Sequence, residues 1–173
     1  ECTTDICFLP DSALEEDYQR AFPKSGRFIF SGIPIKQSYY FNEDKANAKE
    51  KSGLNPTKTH VLIMCGSMGC GPIEEIVTSL SDMLDGQCET TVICGNNKKL
   101  KNKLMGICDE QDGFRILGYT SDVPTLLTSA DIFITKPGGL SVSEAYAKKV
   151  PMVFVDTVGG CESYNRDFFT SLG

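Results

Sequence analysis

The chain has 173 residues, 40% of them apolar and 23% charged, with 17 basic against 23 acidic side chains and a net charge of −6. That length supports a sizeable core in one domain, and the composition is that of a soluble globular protein. An acidic balance argues against nucleic acid as a partner, which needs clustered positive charge, but leaves room for a small anionic ligand held by helix ends and one or two lysines.

The opening, "ECTTDICFLP", has neither an initiator methionine nor a charged leader, and "FFTSLG" stops abruptly, so the chain reads as an excised piece. No apolar run approaches the roughly 20 residues that span a bilayer. The runs "ICFL" (6–9) and "RFIFSG" (27–32) are leading strands or the end of a preceding domain, over residues 1–32. Residues 33–58 are rich in polar residues and turn formers and read as an interdomain segment. Within it Asn42 and Gly53 bracket a charged helix whose polarity predicts a solvated connecting element.

Residues 59–173 alternate short apolar runs with amphipathic stretches. "HVLIMC" (60–65), "TTVIC" (90–94), "FRILG" (114–118), "DIFIT" (131–135) and "PMVFV" (151–155) are continuous rather than alternating, as in strands covered on both faces. After Pro72 the residues Ile73, Ile76, Val77, Leu80, Met83 and Leu84 recur at helical spacing. Leu100, Leu104 and Ile107 mark a second helix, and Ser121 is the expected N-cap of a third with Val123, Leu126, Leu127 and Ala130. The alternation predicts an α/β fold, a Rossmann-like doubly wound parallel sheet with right-handed crossovers.

In such sheets ligands lie beyond the carboxyl ends of the strands. Three strand-to-helix loops there carry unusual residues. "CGSMGCG" (65–71) is glycine-rich but matches neither a dinucleotide fingerprint nor a Walker motif, and is either a packing turn or an anion loop. "GYTSDV" (118–123) is a capped turn or a base-reading loop. "TKPGGLSVSEA" (135–145) opens a helix through Gly138, Gly139, Leu140 and Ser141, beside Lys136. Its Glu144 either favours the helix N-terminus or accepts a vicinal diol. The eight cysteines include no CxxC pair, which points to reduced thiols in a cytoplasmic chain, and one histidine gives no zinc-ligand spacing. His60 opens a strand and is read as structural.

The string "SADIFITKPGGLSVSEAYAKKVPMVFVDTVGGCESYN" (129–165) resembles the nucleotide-sugar-binding domain of GT-B glycosyltransferases. The branch is the one with diacylglycerol glucosyltransferases, monogalactosyldiacylglycerol synthases and the peptidoglycan N-acetylglucosaminyltransferase. "CGSMGCGP" resembles that family's GGSxGxG loop, "ILGYTSDVPTLLTSAD" its base-binding loop and "SGIPIK" (31–36) its interdomain segment. The resemblance implies that residues 59–173 are half of a GT-B fold, truncated at the C-terminus, that binds a UDP-hexose.

By motif position, the backbone at Tyr119 and Thr120 would hold uracil and Glu144 the ribose. Gly139, Leu140 and Ser141 would face the diphosphate, with Gly138, Gly66, Ser67 and Gly69 around it and Lys36 and Lys136 nearby. Cys161, Glu162 and Asn165 fall where the family contacts the donor sugar and phosphate. The family usually reads GQE where this chain has "GCE" (160–162), so Cys161 replaces a sugar-contacting glutamine.

The resemblance implies no metal and no cofactor, since the UDP-sugar is a substrate. It implies no catalytic residue in this piece, whose acceptor domain is missing, and so no transferase activity by itself. The whole protein would be an inverting enzyme acting on a lipid acceptor, diacylglycerol first, at the cytoplasmic face of a membrane. The rivals are a polyprenyl-linked acceptor, a GT-B epimerase, a non-catalytic nucleotide-sugar-binding subunit and a Rossmann-like domain with a vestigial site.

Overall fold

A computed structural model describes residues 4–41, 43–66, 68–69, 71–84, 88–108, 113–155 and 160–172. The chain divides into two compact units, Glu1–Ile35 and Lys36–Gly173.

In the smaller unit β1 (Ile6–Leu9) pairs in parallel with β2 (Arg27–Phe30), Ile6 opposite Arg27 and Leu9 opposite Phe30, with α1 (Glu15–Ala21) between them in sequence. The Asp11 carboxylate accepts the Ala13 N–H at 2.8 Å to start the turn that leads into α1. Glu15, Glu16 and Asp17 fill the first turn of that helix, where its dipole favours negative charge.

The larger unit begins with a one-turn 3-10 helix, Gln37–Tyr39, and α2 (Lys45–Lys51). It continues through β3 (Thr59–Met64), α3 (Ile73–Leu84), β4 (Cys88–Ile93), α4 (Lys98–Leu104), β5 (Phe114–Leu117), α5 (Val123–Ser129), β6 (Ile132–Thr135), α6 (Gly139–Ala147), β7 (Met152–Phe154) and α7 (Cys161–Ser171). Among the described residues its five strands are all parallel, in the order β5-β4-β3-β6-β7. The five apolar runs are therefore the strands, and the sheet is the expected parallel one.

Successive side chains on a strand point to opposite faces. Val61, Ile63 and Cys65 pack with Ile73 and Val77 of α3 and Leu104 of α4 in one hydrophobic layer. His60 points the other way, where Ser129 Oγ of α5 lies 3.0 Å from its Nδ1. Helices thus cover both faces of the sheet, and that explains why β3 and β4 read as unbroken apolar runs.

Three local expectations are corrected. The N-cap of α5 is Asp122, not Ser121: a cap at Ser121 would have Pro124, which has no N–H, at its third helical position, and the Thr120 hydroxyl accepts the Asp122 N–H at 3.1 Å in the turn before the helix. α4 closes at Leu104, and the following turns at Gly106 and Ile107 leave Ile107 41% exposed while Cys108 takes the core position. α2 is not a solvated connector: Ala48 and Lys49 are buried, and the helix packs against α5. Lys49 Nζ donates to the Lys58 carbonyl and to Asp131 Oδ2, each at 2.7 Å. Asn42 lies outside the described residues; Asp44 caps α2 by accepting the Asn47 N–H, and Gly53 ends it with φ +68°.

Asp131 also accepts from Lys45 Nζ at 2.9 Å and from the His60 N–H at 2.9 Å. Partial burial pushes its carboxyl upward, but the Lys45 and Lys49 hydrogen bonds outweigh that and hold it at about 2. His60 is fully buried, with Nε2 2.9 Å from Thr91 Oγ1, and burial holds it down to about 4. The chain's one histidine is therefore a neutral structural residue at the amino end of β3.

A candidate nucleotide site at the switch point of the sheet

β3 and β6 are neighbours, yet the chain leaves β3 toward β4 on one side and β6 toward β7 on the other. Such a reversal opens a crevice at the carboxyl ends of the two strands. Those ends are Met64 and Thr135, paired in register, and Thr135 Oγ1 donates to the Met64 carbonyl at 2.7 Å. Two of the three loops singled out in the sequence leave from this point.

The first loop is held close to β4. Gly69 has φ +55°, and a Cβ there would stand 2.5 Å from the Cys94 carbonyl oxygen, so only glycine fits. Asn97 Nδ2 donates to the Gly69 carbonyl at 3.4 Å, joining this loop to the one after β4. Gly71 has φ +126°, a conformation that favours glycine, and a Cβ there would stand in ordinary contact with the Lys136 Cδ at 3.6 Å. Ser67 lies outside the described residues.

The second loop starts α6. Gly138 is its N-cap, with φ −74° and ψ 130° and no side-chain capping hydrogen bond. Ordinary α geometry leaves the N–H groups of Gly139, Leu140 and Ser141 without intrahelical acceptors. A Cβ on Gly138 would meet nothing within 4 Å, nor would one on Gly66 across the crevice, so both glycines face open space. An uncapped N-terminus of a nine-residue helix facing open space suits an anion.

Lys136 lies beside that opening, largely buried, with Nζ 3.6 Å from Glu162 of α7. Asn165, one turn further along α7, donates from Nδ2 to the Pro137 carbonyl at 2.9 Å. The expected phosphate and sugar residues Lys136, Glu162 and Asn165 are thus brought together. Cys161 is an exposed free thiol at the start of α7, after Gly160 with φ 95°.

Glu144 sits in the second turn of α6, half-buried, with the Tyr39 phenol and the Lys36 ammonium near its carboxylate. Burial raises its carboxyl above the usual range, against the pull of Tyr39 and Lys36. Lys36 therefore belongs with Glu144 at the second turn of α6. Tyr119 and Thr120 stand on the same rim but apart, at the end of edge strand β5, which β4 separates from β3. Tyr119 is 74% exposed.

Sequence reasoning missed Tyr39. Its only signal is an aromatic pair, "YY" (39–40), in a polar stretch; Tyr39 is 5% exposed and Tyr40 63%. A concavity lined by Gly53, Leu54, Glu89, Gly113, Phe114 and Arg115 lies at the opposite end of the sheet. Its polar groups are already engaged: Arg115 donates to the Ser52 and Gly53 carbonyls, and Glu89 accepts the Asn55 N–H at 2.6 Å. Among the described residues no group of three or more His, Cys, Asp or Glu is placed to hold a metal ion.

Residues 73–172, more than half of the chain, match the model of the family described as glycosyl transferases group 1. The chain belongs to that family. The glycosyltransferase chain is 35% identical over 145 residues to the processive diacylglycerol beta-glucosyltransferase of Staphylococcus carnosus (strain TM300), covering 83% of this chain and 37% of that protein. It spans well under half the length of the curated relatives it matches. Among solved structures, WaaG, a glycosyltransferase of lipopolysaccharide biosynthesis, superimposes with a TM-score of 0.62 at 15% identity, over 92% of this chain and 46% of WaaG. Anabaena Alr3699/HepE in complex with UDP gives 0.55 at 15%, over 97% of this chain and 54% of that one. These likenesses place the sheet and its helices in the GT-B fold.

Proposed function

We propose that this glycosyltransferase chain binds a UDP-hexose and presents it for transfer to a lipid acceptor, diacylglycerol the first candidate. The observation that carries the reading is the uncapped start of α6 facing open space at the β3/β6 switch point, with Lys136 beside it and Glu144 one turn inside. Three chemistries then lie at the start of one helix or beside it: N–H donors for a diphosphate, a cation for its charge, and a carboxylate for a vicinal diol. The diacylglycerol relatives support the acceptor class, and the UDP complex of a similarly folded protein supports the nucleotide.

In the proposed inverting reaction an acceptor hydroxyl oxygen attacks the anomeric carbon. The bond from that carbon to the UDP oxygen breaks, UDP leaves with the electron pair, and the acceptor proton passes to a base. This chain's part is to fix the donor and compensate charge on departing UDP. The N–H groups of Gly139, Leu140 and Ser141 are held in place before the reaction begins. Lys136 adds a cation oriented by Glu162, which with Asn165 and Cys161 borders the sugar. His60, buried at the other end of β3, is not that base. We place the whole protein peripherally at the cytoplasmic face of a membrane; no described helix is long and apolar enough to cross one.

A thermal-shift panel of UDP-glucose, UDP-galactose, UDP-N-acetylglucosamine, ADP-glucose and GDP-mannose tests the donor class. The uridine compounds alone should raise the melting temperature; equal shifts from the purine nucleotides would refute it.

A further inference from the structure

We propose that α4 and the turn after it form a docking surface for an anionic bilayer, with Lys98 and Lys99 on lipid phosphates and Met105 and Ile107 in the headgroup layer. The inference rests on the membrane placement in the reading above and not on its nucleotide.

Between Glu89 and Asp109 the chain has no acidic residue and four lysines, all within α4, although its net charge is −6. Leu104 is fully buried and Leu100 packs on the same core, so α4 turns that face to the sheet. Lys98, Asn102 and Met105 follow at i, i+4 and i+7 on the opposite face, with Lys99 beside them, and all four are exposed. Ile107 is exposed in the next turn. Lys103 is matched by Glu74 at 2.6 Å, and Lys101 is half-buried with its stem beside Gly118. Among the described residues Lys98 and Lys99 pair with no carboxylate. Asp109, Glu110 and Asp112 follow α4 in the sequence and lie outside the described residues.

Lys98 and Lys99 do not serve the helix they open. They are its first two residues, where the dipole repels positive charge, and Asn97 caps that turn by accepting the Leu100 N–H at 2.9 Å. Unmatched cations beside large exposed apolar side chains fit a surface that offers both phosphate and hydrocarbon. Near an anionic leaflet each lysine strengthens attachment about fivefold. The position also suits a lipid acceptor. α4 follows the carboxyl end of β4, on the rim of the crevice, and Asn97 Nδ2 donates to the Gly69 carbonyl. A bilayer against α4 therefore lies beside the opening that would hold the donor.

The test is co-sedimentation of this chain with vesicles of phosphatidylcholine, alone or with about one-third phosphatidylglycerol. Binding should occur to the mixed vesicles only and weaken as salt rises. Lys98→Gln with Lys99→Gln should weaken it about twentyfold. Removing two exposed charges elsewhere, Arg20→Gln with Lys149→Gln, should change it about twofold at most. The chain has no tryptophan, so Met105→Trp supplies a single reporter whose emission should shift to the blue on mixed vesicles. Equal losses from the two double variants, or an unshifted emission, would overturn the docking surface. Binding to neither vesicle would overturn it too and leave the donor reading standing, since UDP is titrated without lipid. Equally tight binding to soluble polyglutamate would overturn it in favour of an acidic protein segment on α4.

Discussion

Thr135 Oγ1 donates to the Met64 carbonyl at 2.7 Å, tying together the ends of two strands that meet only through long-range pairing. Thr135 is fully buried, so its hydroxyl is fixed where the two loops of the crevice separate. Everything placed in the site is measured from this junction: Lys136 is the next residue on one side, and Gly66 follows Cys65 on the other.

Two glycines around that junction should respond differently to the same substitution. Gly69→Ala adds a Cβ 2.5 Å from the Cys94 carbonyl at a positive φ and should cost about 2 kcal/mol or more in urea unfolding. Gly138→Ala meets nothing within 4 Å at an ordinary φ, so its stability cost should stay under about 1 kcal/mol. Its methyl group would stand before the N–H groups of α6, and UDP affinity should fall about tenfold.

Much of this was readable beforehand, for reasons visible in particular residues. β3 and β4 announce themselves because both their faces are covered, and "TKPGG" carries its own family spelling. Lys49 deceived because a lysine looks solvent-facing until Asp131, far along the chain, supplies the opposite charge. Tyr39 and Glu144 are equally remote in sequence, and no local pattern encodes a phenol standing near a carboxylate of another helix. Ser121 failed as a cap because its third helical position would be Pro124, which has no N–H to donate.

His60 makes stability depend on pH in a stated direction. Its folded value, about 4, lies below its ordinary 6.5, so the unfolded chain binds the extra proton between those values. The contribution is fully present above 6.5 and is lost as pH falls toward 4. Urea unfolding should show a loss of about 2 kcal/mol between pH 7 and pH 5. His60→Gln should flatten the profile in that window. Asp131 does not confuse the reading: its depressed value contributes stability above its ordinary 3.8 that is lost as pH falls through about 2.

Lys136 and Cys161 should separate nucleotide from sugar recognition. Lys136→Met removes the cation at the start of α6 and should weaken UDP about tenfold, with a shallower dependence on salt. Cys161→Gln restores the amide usual in the family at an exposed position and should leave UDP within about twofold. The same substitution should change the ratio of UDP-glucose to UDP-galactose affinity. A competition assay with a fluorescent UDP analogue reads both.

The central claim is that the β3/β6 crevice binds a uridine diphosphate with Glu144 on its ribose. Calorimetric titration of UDP into the chain tests it most directly. Saturable binding with Kd of about 10 μM to 1 mM, weakened about tenfold or more by Glu144→Ala, is the predicted result. No heat at millimolar UDP, or an affinity that Glu144→Ala leaves unchanged, would contradict it.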